Sequence, residues 1–176
     1  MKRPLKIVIF VILSCIVLFI IASLVWGKTL AMAEANRLLL ASKPRAAQAI
    51  YEKLLAASPD SPYILHNLGL AFYKESQYDQ AVANLSRALK KIETPDGKPS
   101  TETRPLLNHT GYNLGNAFFK QAEKSASMSA NSDQNSYQSA LENYQKAIMA
   151  NRSDLDAKYN YEVTKIRLQQ AQKDQS

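Results

Sequence analysis

Ser61-Pro62-Tyr63-Ile64-Leu65-His66-Asn67-Leu68-Gly69-Leu70-Ala71-Phe72-Tyr73-Lys74, then Glu75-Ser76-Gln77, then Tyr78-Asp79-Gln80-Ala81 through to Leu89, is the stretch that decides the fold. Ser61 suits a helix N-cap, and Pro62 suits the first turn, where no amide partner is lost. Leu65, Leu68 and Phe72 recur at helical spacing as one apolar stripe. Gly69 is a side-chain-free notch in that stripe, so a second helix can come close. The segment from Tyr78 answers with Ala81, Leu85 and Ala88, small residues where two backbones cross. Such a helical hairpin leaves an outer face unburied until another hairpin stacks on it.

A search outward for self-similarity finds further copies. One begins at Tyr112-Asn113-Leu114-Gly115-Asn116-Ala117-Phe118-Phe119-Lys120 and resumes, after an insertion, with Ala140, Tyr144 and Ala147. An earlier, degenerate copy fits residues 28–61, with Ala35 at the notch and Ala47, Tyr51 and Pro59 in matching places. A half-unit follows at Asp156-Ala157-Lys158-Tyr159-Asn160-Tyr161-Glu162. Glu162 occupies its notch position, as befits a terminal capping helix with one wetted face. In register and residue type, Leu65, Leu68-Gly69, Phe72, Tyr78, Ala81, Leu85 and Ala88 resemble the tetratricopeptide repeat (TPR) family. The resemblance runs over residues ~28–170. It implies an all-α fold: an α-solenoid of about three hairpins and a capping helix.

Ahead of the repeats, residues 7–26 are twenty residues without a charge, fifteen of them Ile, Val, Leu or Phe. At roughly 0.3–0.6 kcal/mol each, those fifteen favour bilayer insertion by about 5–9 kcal/mol. The run is long enough to cross ~30 Å of hydrocarbon as a helix. Lys2, Arg3 and Lys6 precede it and Lys28 follows, so the cationic flank predicts a cytoplasmic N-terminus and an extracytoplasmic body. Two processing signals compete: Ala31-Met32-Ala33 has the form of a cleavage site, and Ile12-Leu13-Ser14-Cys15 that of a weak lipoprotein signal. The expected organisation is a basic flank over 1–6, a transmembrane signal-anchor over 7–27 and a degenerate repeat over 28–61. A full repeat over 62–95, a loop insertion over 96–107 and a repeat over 108–154 with an inserted loop at 121–137 come next. A capping helix over 155–170 and a polar tail over 171–176 end it. Pro95, Gly97, Pro99 and Pro105 mark residues 92–107 as extended loop. The Ser, Ala, Asn and Gln of 121–137 read as a helix extension and then a flexible loop.

The first helix of each unit in a solenoid lines the concave side, and in the TPR family peptides or protein segments lie there. Carried over by register, the partner-binding candidates are Tyr63, His66, Asn67, Leu70 and Tyr73, then Tyr112, Asn113, Asn116, Phe119 and Lys120, then Tyr159, with Asn160 beside it. The pairs His66-Asn67, Tyr112-Asn113 and Tyr159-Asn160 recur. An asparagine amide both donates to and accepts from an extended peptide, and aromatic rings add contact area. The same asparagines could instead tie adjacent helices together. With only Lys74 and Lys120 near the groove, a basic clamp on a terminal carboxylate is not expected.

The net charge of +7 shrinks once residues 1–28 are set aside: of 22 Lys and Arg, four lie there, leaving 18 against 15 acidic residues. The remainder is scattered, with no nucleic-acid footprint. The single cysteine, Cys15, lies in the apolar run and permits no internal disulfide. His66 and His109 have no acidic or thiol neighbours at ligand spacing, and no phosphate-binding glycine loop occurs. Neither catalytic residues, metal nor cofactor are expected; the chain does not read as an enzyme.

The sequence therefore predicts a membrane-tethered interaction scaffold at the outer face of a bacterial inner membrane, assisting assembly or maturation of a periplasmic complex. Residues 112–120 and 156–162 further resemble TPR segments of membrane proteins found with MoxR-type ATPases and von Willebrand A-domain proteins. That grouping includes the Bat aerotolerance proteins and the methanol dehydrogenase maturation proteins of the MxaK type. Two alternatives remain: a cytosol-facing receptor for chaperones or imported proteins, and a purely structural subunit of a membrane complex. N-x-S/T triplets at Asn84, Asn108 and Asn151 are attributed to chance.

Overall fold

The computed structural model describes residues 3–93, 100–128 and 134–173. Among these there are seven helices and no strand: α1 (Arg3–Leu40), α2 (Pro44–Ala57), α3 (Pro62–Lys74), α4 (Tyr78–Ile92), α5 (Arg104–Met128), α6 (Gln134–Ala150) and α7 (Leu155–Lys173). Each helix packs on the next. In addition α3 touches α5 and α5 touches α7, so the first helices of successive hairpins line one side.

α1 is continuous for 38 residues. From Ile9 onward it is long and apolar enough to cross a membrane, and its described side chains are exposed through the apolar run except the half-buried Ser14. No break separates that run from the first repeat. Gly27 sits in open space, and a lone helical glycine costs only about 1 kcal/mol. Beyond it the helix turns from exposed to packed: Ala35 and Leu39 are core residues, against Ala47, Tyr51 and Leu54 of α2.

The first two hairpins turn in the same way. Ser42 and Ser76 adopt φ of 55° and 58°. The following amides, Lys43 N and Gln77 N, donate back to Leu38 O at 2.9 Å and Phe72 O at 3.0 Å. This helix-ending geometry satisfies carbonyls that would otherwise be orphaned. Pro44, Pro62 and Pro105 all fall in first turns, where proline is tolerated.

The notch glycines act as the pattern predicts. A Cβ on Gly69 would lie 2.6 Å from Leu85 Cγ, and one on Gly115 would lie 2.6 Å from the Tyr144 ring. Leu65, Leu68, Phe72, Ala81, Leu85 and Ala88 are all buried, while Glu162 on α7 is exposed.

The insertions differ from expectation. Residues 104–107, read as loop, begin α5, and Leu107 is buried. Residues 121–128 extend α5, as expected, whereas 134–137, read as loop, already belong to α6. Tyr137 packs with Ala122 and Ala171 in a small second core, joined by Phe119 and Leu168. The polar composition of 121–137 concealed a stripe, Tyr137, Ala140, Leu141 and Tyr144, that simply continues the face of α6. Residues 100–103 form a turn, and 171–173, expected as polar tail, belong to α7 with Ala171 buried; residues 94–99, 129–133 and 174–176 lie outside the described residues.

Candidate functional site: a cleft between α3, α5 and α7

The concave side holds a cleft of about 240 Å³ between α3, α5 and α7. α5 supplies Tyr112, Asn116, Phe119 and Lys120, and α3 supplies Tyr73. Tyr144 of α6 reaches through from behind, and Asn160, Val163 and Thr164 of α7 close the far wall. Six residues expected at the groove, Asn160 included, therefore meet here.

Asn116 organises the floor. Its Oδ1 accepts from Tyr144 Oη at 2.7 Å and from Asn160 Nδ2 at 2.9 Å. Asn160 Nδ2 also reaches Tyr112 Oη at 3.3 Å. Tyr144 is almost wholly buried. Burial pushes its phenol well above the usual tyrosine range, with Tyr112 and Tyr73 nearby adding to the effect, so it stays a neutral donor. With its oxygen occupied twice, Asn116 retains its Nδ2 as a donor that has no protein partner and is not sealed from solvent. Around this amide stand aromatic faces: Tyr112 lies 6.1 Å from Tyr144, and Phe119 packs edge-on to Tyr137 at 5.7 Å. Lys120 Nζ sits 5.7 Å from the Phe119 ring centre and 2.7 Å from Glu123 Oε2. The hydrogen bond to Glu123 holds the ammonium above its ordinary pKa.

The same bonding pattern recurs at the first junction. Asn36 Oδ1 accepts from Tyr51 Oη at 2.7 Å and from Asn67 Nδ2 at 3.0 Å. Tyr51 and Asn67 lie 15 and 31 residues after Asn36. Tyr144 and Asn160 lie 28 and 44 after Asn116, the same thirteen-residue lengthening. The middle junction lacks the pattern: Leu70 and Leu85 take the Asn and Tyr places, and His66 Nδ1 bonds Thr110 Oγ1 at 2.9 Å. His66 is buried, and burial, with His109 adding a smaller effect, lowers its pKa to about 4.

Of the remaining candidates, His66 and Asn67 spend their side chains on helix-to-helix bonds. Leu70 packs against the core. Asn113 is half-buried and outside the cleft, Tyr63 lines a separate cavity near Lys28, and Tyr159 is 70% exposed on the outer side of α7. Tyr144 was read from sequence only as a repeat position, and Val163, Thr164 and Asn36 were not named. The repeated Asn-Tyr-Asn register was the available signal for Asn36 and Tyr144. Asn108 is also inward, donating to Ala147 O at 3.1 Å and Asp154 Oδ2 at 2.7 Å, while Asp154 Oδ1 caps α7 at Ala157 N. No cluster of metal-ligating side chains occurs among the described residues.

Solved structures with this architecture include the Sgt2 TPR domain from Aspergillus fumigatus, with a TM-score of 0.62 and 21% identity, over 84% of this chain and 82% of that one. The fold is that of TPR domains. The first TPR domain of Spaghetti (RPAP3), bound to the HSP90 peptide SRMEEVD, is also similar. Its TM-score is 0.62 at 13% identity, over 80% of this chain and 92% of that one. No protein-family model matches the sequence, and no curated protein matches it.

Proposed function

We propose that this chain is a membrane-tethered TPR scaffold that holds a protein segment in its concave groove and so assists assembly or maturation of an envelope complex. The cleft around Asn116 carries this reading. It is an aromatic-walled recess whose floor presents an amide donor, suited to the carbonyls of an extended polypeptide. The 20-residue apolar run in α1 supports tethering, which raises the local concentration of a bound partner. The cations Lys2, Arg3 and Lys6 ahead of it support a body on the extracytoplasmic side of a bacterial inner membrane. The likeness of residues 112–120 and 156–162 to TPR segments accompanying MoxR-type ATPases and von Willebrand A-domain proteins nominates such proteins as partners.

The RPAP3 domain binds an acidic HSP90 peptide, which raises the cytosol-facing chaperone receptor as a rival. Here the one cation lining the cleft, Lys120, is already matched by Glu123. An internal neutral segment suits it better than an acidic terminus. The structural-subunit reading has its own observation: Leu155, Tyr159 and Ile166 form an exposed stripe along α7.

A photoreactive residue in place of Phe119 in the full-length chain tests the proposal in native membranes. The expected result is one discrete protein adduct, lost in a Tyr112→Ala/Asn116→Ala background. Partner recovery unchanged by that double substitution would transfer the function from the cleft to the α7 stripe. A C-terminal reporter active only in the cytoplasm would, if it worked, reverse the orientation.

A further inference from the structure

α7 covers the last hairpin without being covered itself. Among the described residues after α1, five large apolar side chains are exposed, and three of them, Leu155 (74%), Tyr159 (70%) and Ile166 (54%), lie on α7. With the exposed Glu162 they recur at spacings of four, three and four residues, the seam of a heptad. A capping helix needs a polar outer face to keep a stack soluble, and this one has it on one side only.

The register with α5 identifies the sides. Lys158 and Glu162 stand 47 residues after Gly111 and Gly115, the positions at which α5 admits α6. Charged and exposed here, they give α7 no notch for a second helix of its own. Tyr159, Val163 and Ile166 stand 47 residues after Tyr112, Asn116 and Phe119, which line the cleft. The apolar side of α7 thus repeats an inner wall whose opposite wall would have to come from another chain.

The charges select the occupant. Lys158 and Lys165 run along one edge of the seam, and Glu162 within it lies 3.7 Å from Lys165 Nζ. Asp156 stands at the other edge. An incoming helix meets cations along the first edge, which favours acidic side chains on it. A second copy fits this face poorly. On the membrane-tethered reading both copies stand the same way up, so α7 would meet α7 in parallel and Glu162 would face Glu162 across the seam.

We infer that α7 docks an amphipathic helix of a different protein, whose apolar stripe lies on Leu155, Tyr159 and Ile166 and whose acidic edge faces Lys158 and Lys165. This surface is separate from the cleft and needs no occupant there; only the exclusion of a second copy rests on tethering.

The test titrates the full-length chain, one copy per nanodisc, against fluorescent three-heptad peptides with leucine at the seam positions. One peptide has glutamate at its flanks, one has lysine, and a third has the glutamate composition in scrambled order. The glutamate peptide should bind about ten-fold tighter than the lysine peptide, and the scrambled one should not bind. Tyr159→Ser/Ile166→Ser should weaken binding about ten-fold or more. Lys158→Glu/Lys165→Glu should reverse the order of the two peptides, a result that unfolding could not produce. Leu40→Ser, at another exposed apolar side chain on the far α1–α2 turn, should change nothing. Equal binding of the glutamate and lysine peptides, or a preference that survives Tyr159→Ser/Ile166→Ser, overturns the inference. So does a photoreactive residue at position 159 that joins only a second copy of the chain in native membranes. The groove reading is tested at position 119, and its failure would leave these titrations unchanged, so the two can fall separately.

Discussion

The first and third junctions of the solenoid are built alike, and the middle one is built differently. At the outer junctions an asparagine oxygen takes two hydrogen bonds, Asn36 from Tyr51 and Asn67, Asn116 from Tyr144 and Asn160. In the middle, Leu70 and Leu85 occupy the corresponding places, and the buried polar link is the contact of His66 with Thr110. Each outer junction also borders a cavity, since Asn36 lines one and Asn116 another. A directional bond keeps a polar floor where the groove is hollow; where helices simply close on each other, leucine suffices.

The two kinds of junction should fail at opposite ends of the pH scale. His66 is held neutral with its pKa lowered from 6.5 to about 4. Between those values the unfolded chain binds more protons than the folded one. Stability is thus complete above pH 6.5 and falls as the pH drops toward 4, by about 3 kcal/mol. Tyr51, pushed up from 10.0 to about 12 by burial, acts in the reverse sense. The unfolded chain binds fewer protons above pH 10, so the first junction weakens as the pH rises from 10 toward 12, by about 2–3 kcal/mol. Urea melts of the soluble portion across pH would show both limbs. His66→Gln should flatten the acid limb, and Tyr51→Phe should shrink the alkaline limb, whose remainder belongs to the buried Tyr144 phenol, each without touching the other.

The notches sharpen the contrast sterically. Gly115→Ala drives a methyl into a Tyr144 ring fixed by its hydroxyl, whereas Gly69→Ala meets the branch of Leu85, which can change rotamer. We expect about 2–3 kcal/mol for the first and about 1–2 kcal/mol for the second in equilibrium unfolding. Equal costs would mean that the ring yields as readily as the leucine.

A smaller effect isolates the hydrogen bond. Asn116→Leu imitates the middle junction but strips Tyr144 of its Asn116 acceptor, costing about 2 kcal/mol. Tyr144→Phe alone should cost about 1 kcal/mol. The double variant should be no worse than Asn116→Leu, a coupling of about 1 kcal/mol. Strict additivity would show that the two side chains do not act as a pair.

The hairpin core was legible because apolar spacing at Leu65, Leu68, Phe72 and Leu85, with Gly69 among them, has one economical helical solution. The insertion at 121–137 was legible only in its first part, the extension of α5; the start of α6 was not, since serine, asparagine and glutamine dominate there. Only the burial of Tyr137 against Ala122 and Ala171 shows that helix resumes so early. The groove was half legible. Sequence places an asparagine on the inner side of a helix, but an amide bonds equally well to a neighbouring helix or to a guest. Asn67 and Asn160 proved to be ties, while Asn116 is a tie through its oxygen and open through its nitrogen. Tyr144 read as a packing position of the repeat, because it belongs to an outer-layer helix and reaches the cleft from behind.

α1 is at once the greasy segment and the first wall of the groove, with no joint between the two. It therefore behaves as a drive shaft. Adding one residue beside Gly27 would turn everything beyond it by about 100° and raise it by about 1.5 Å. The compass bearing of the groove is written into the number of residues below it.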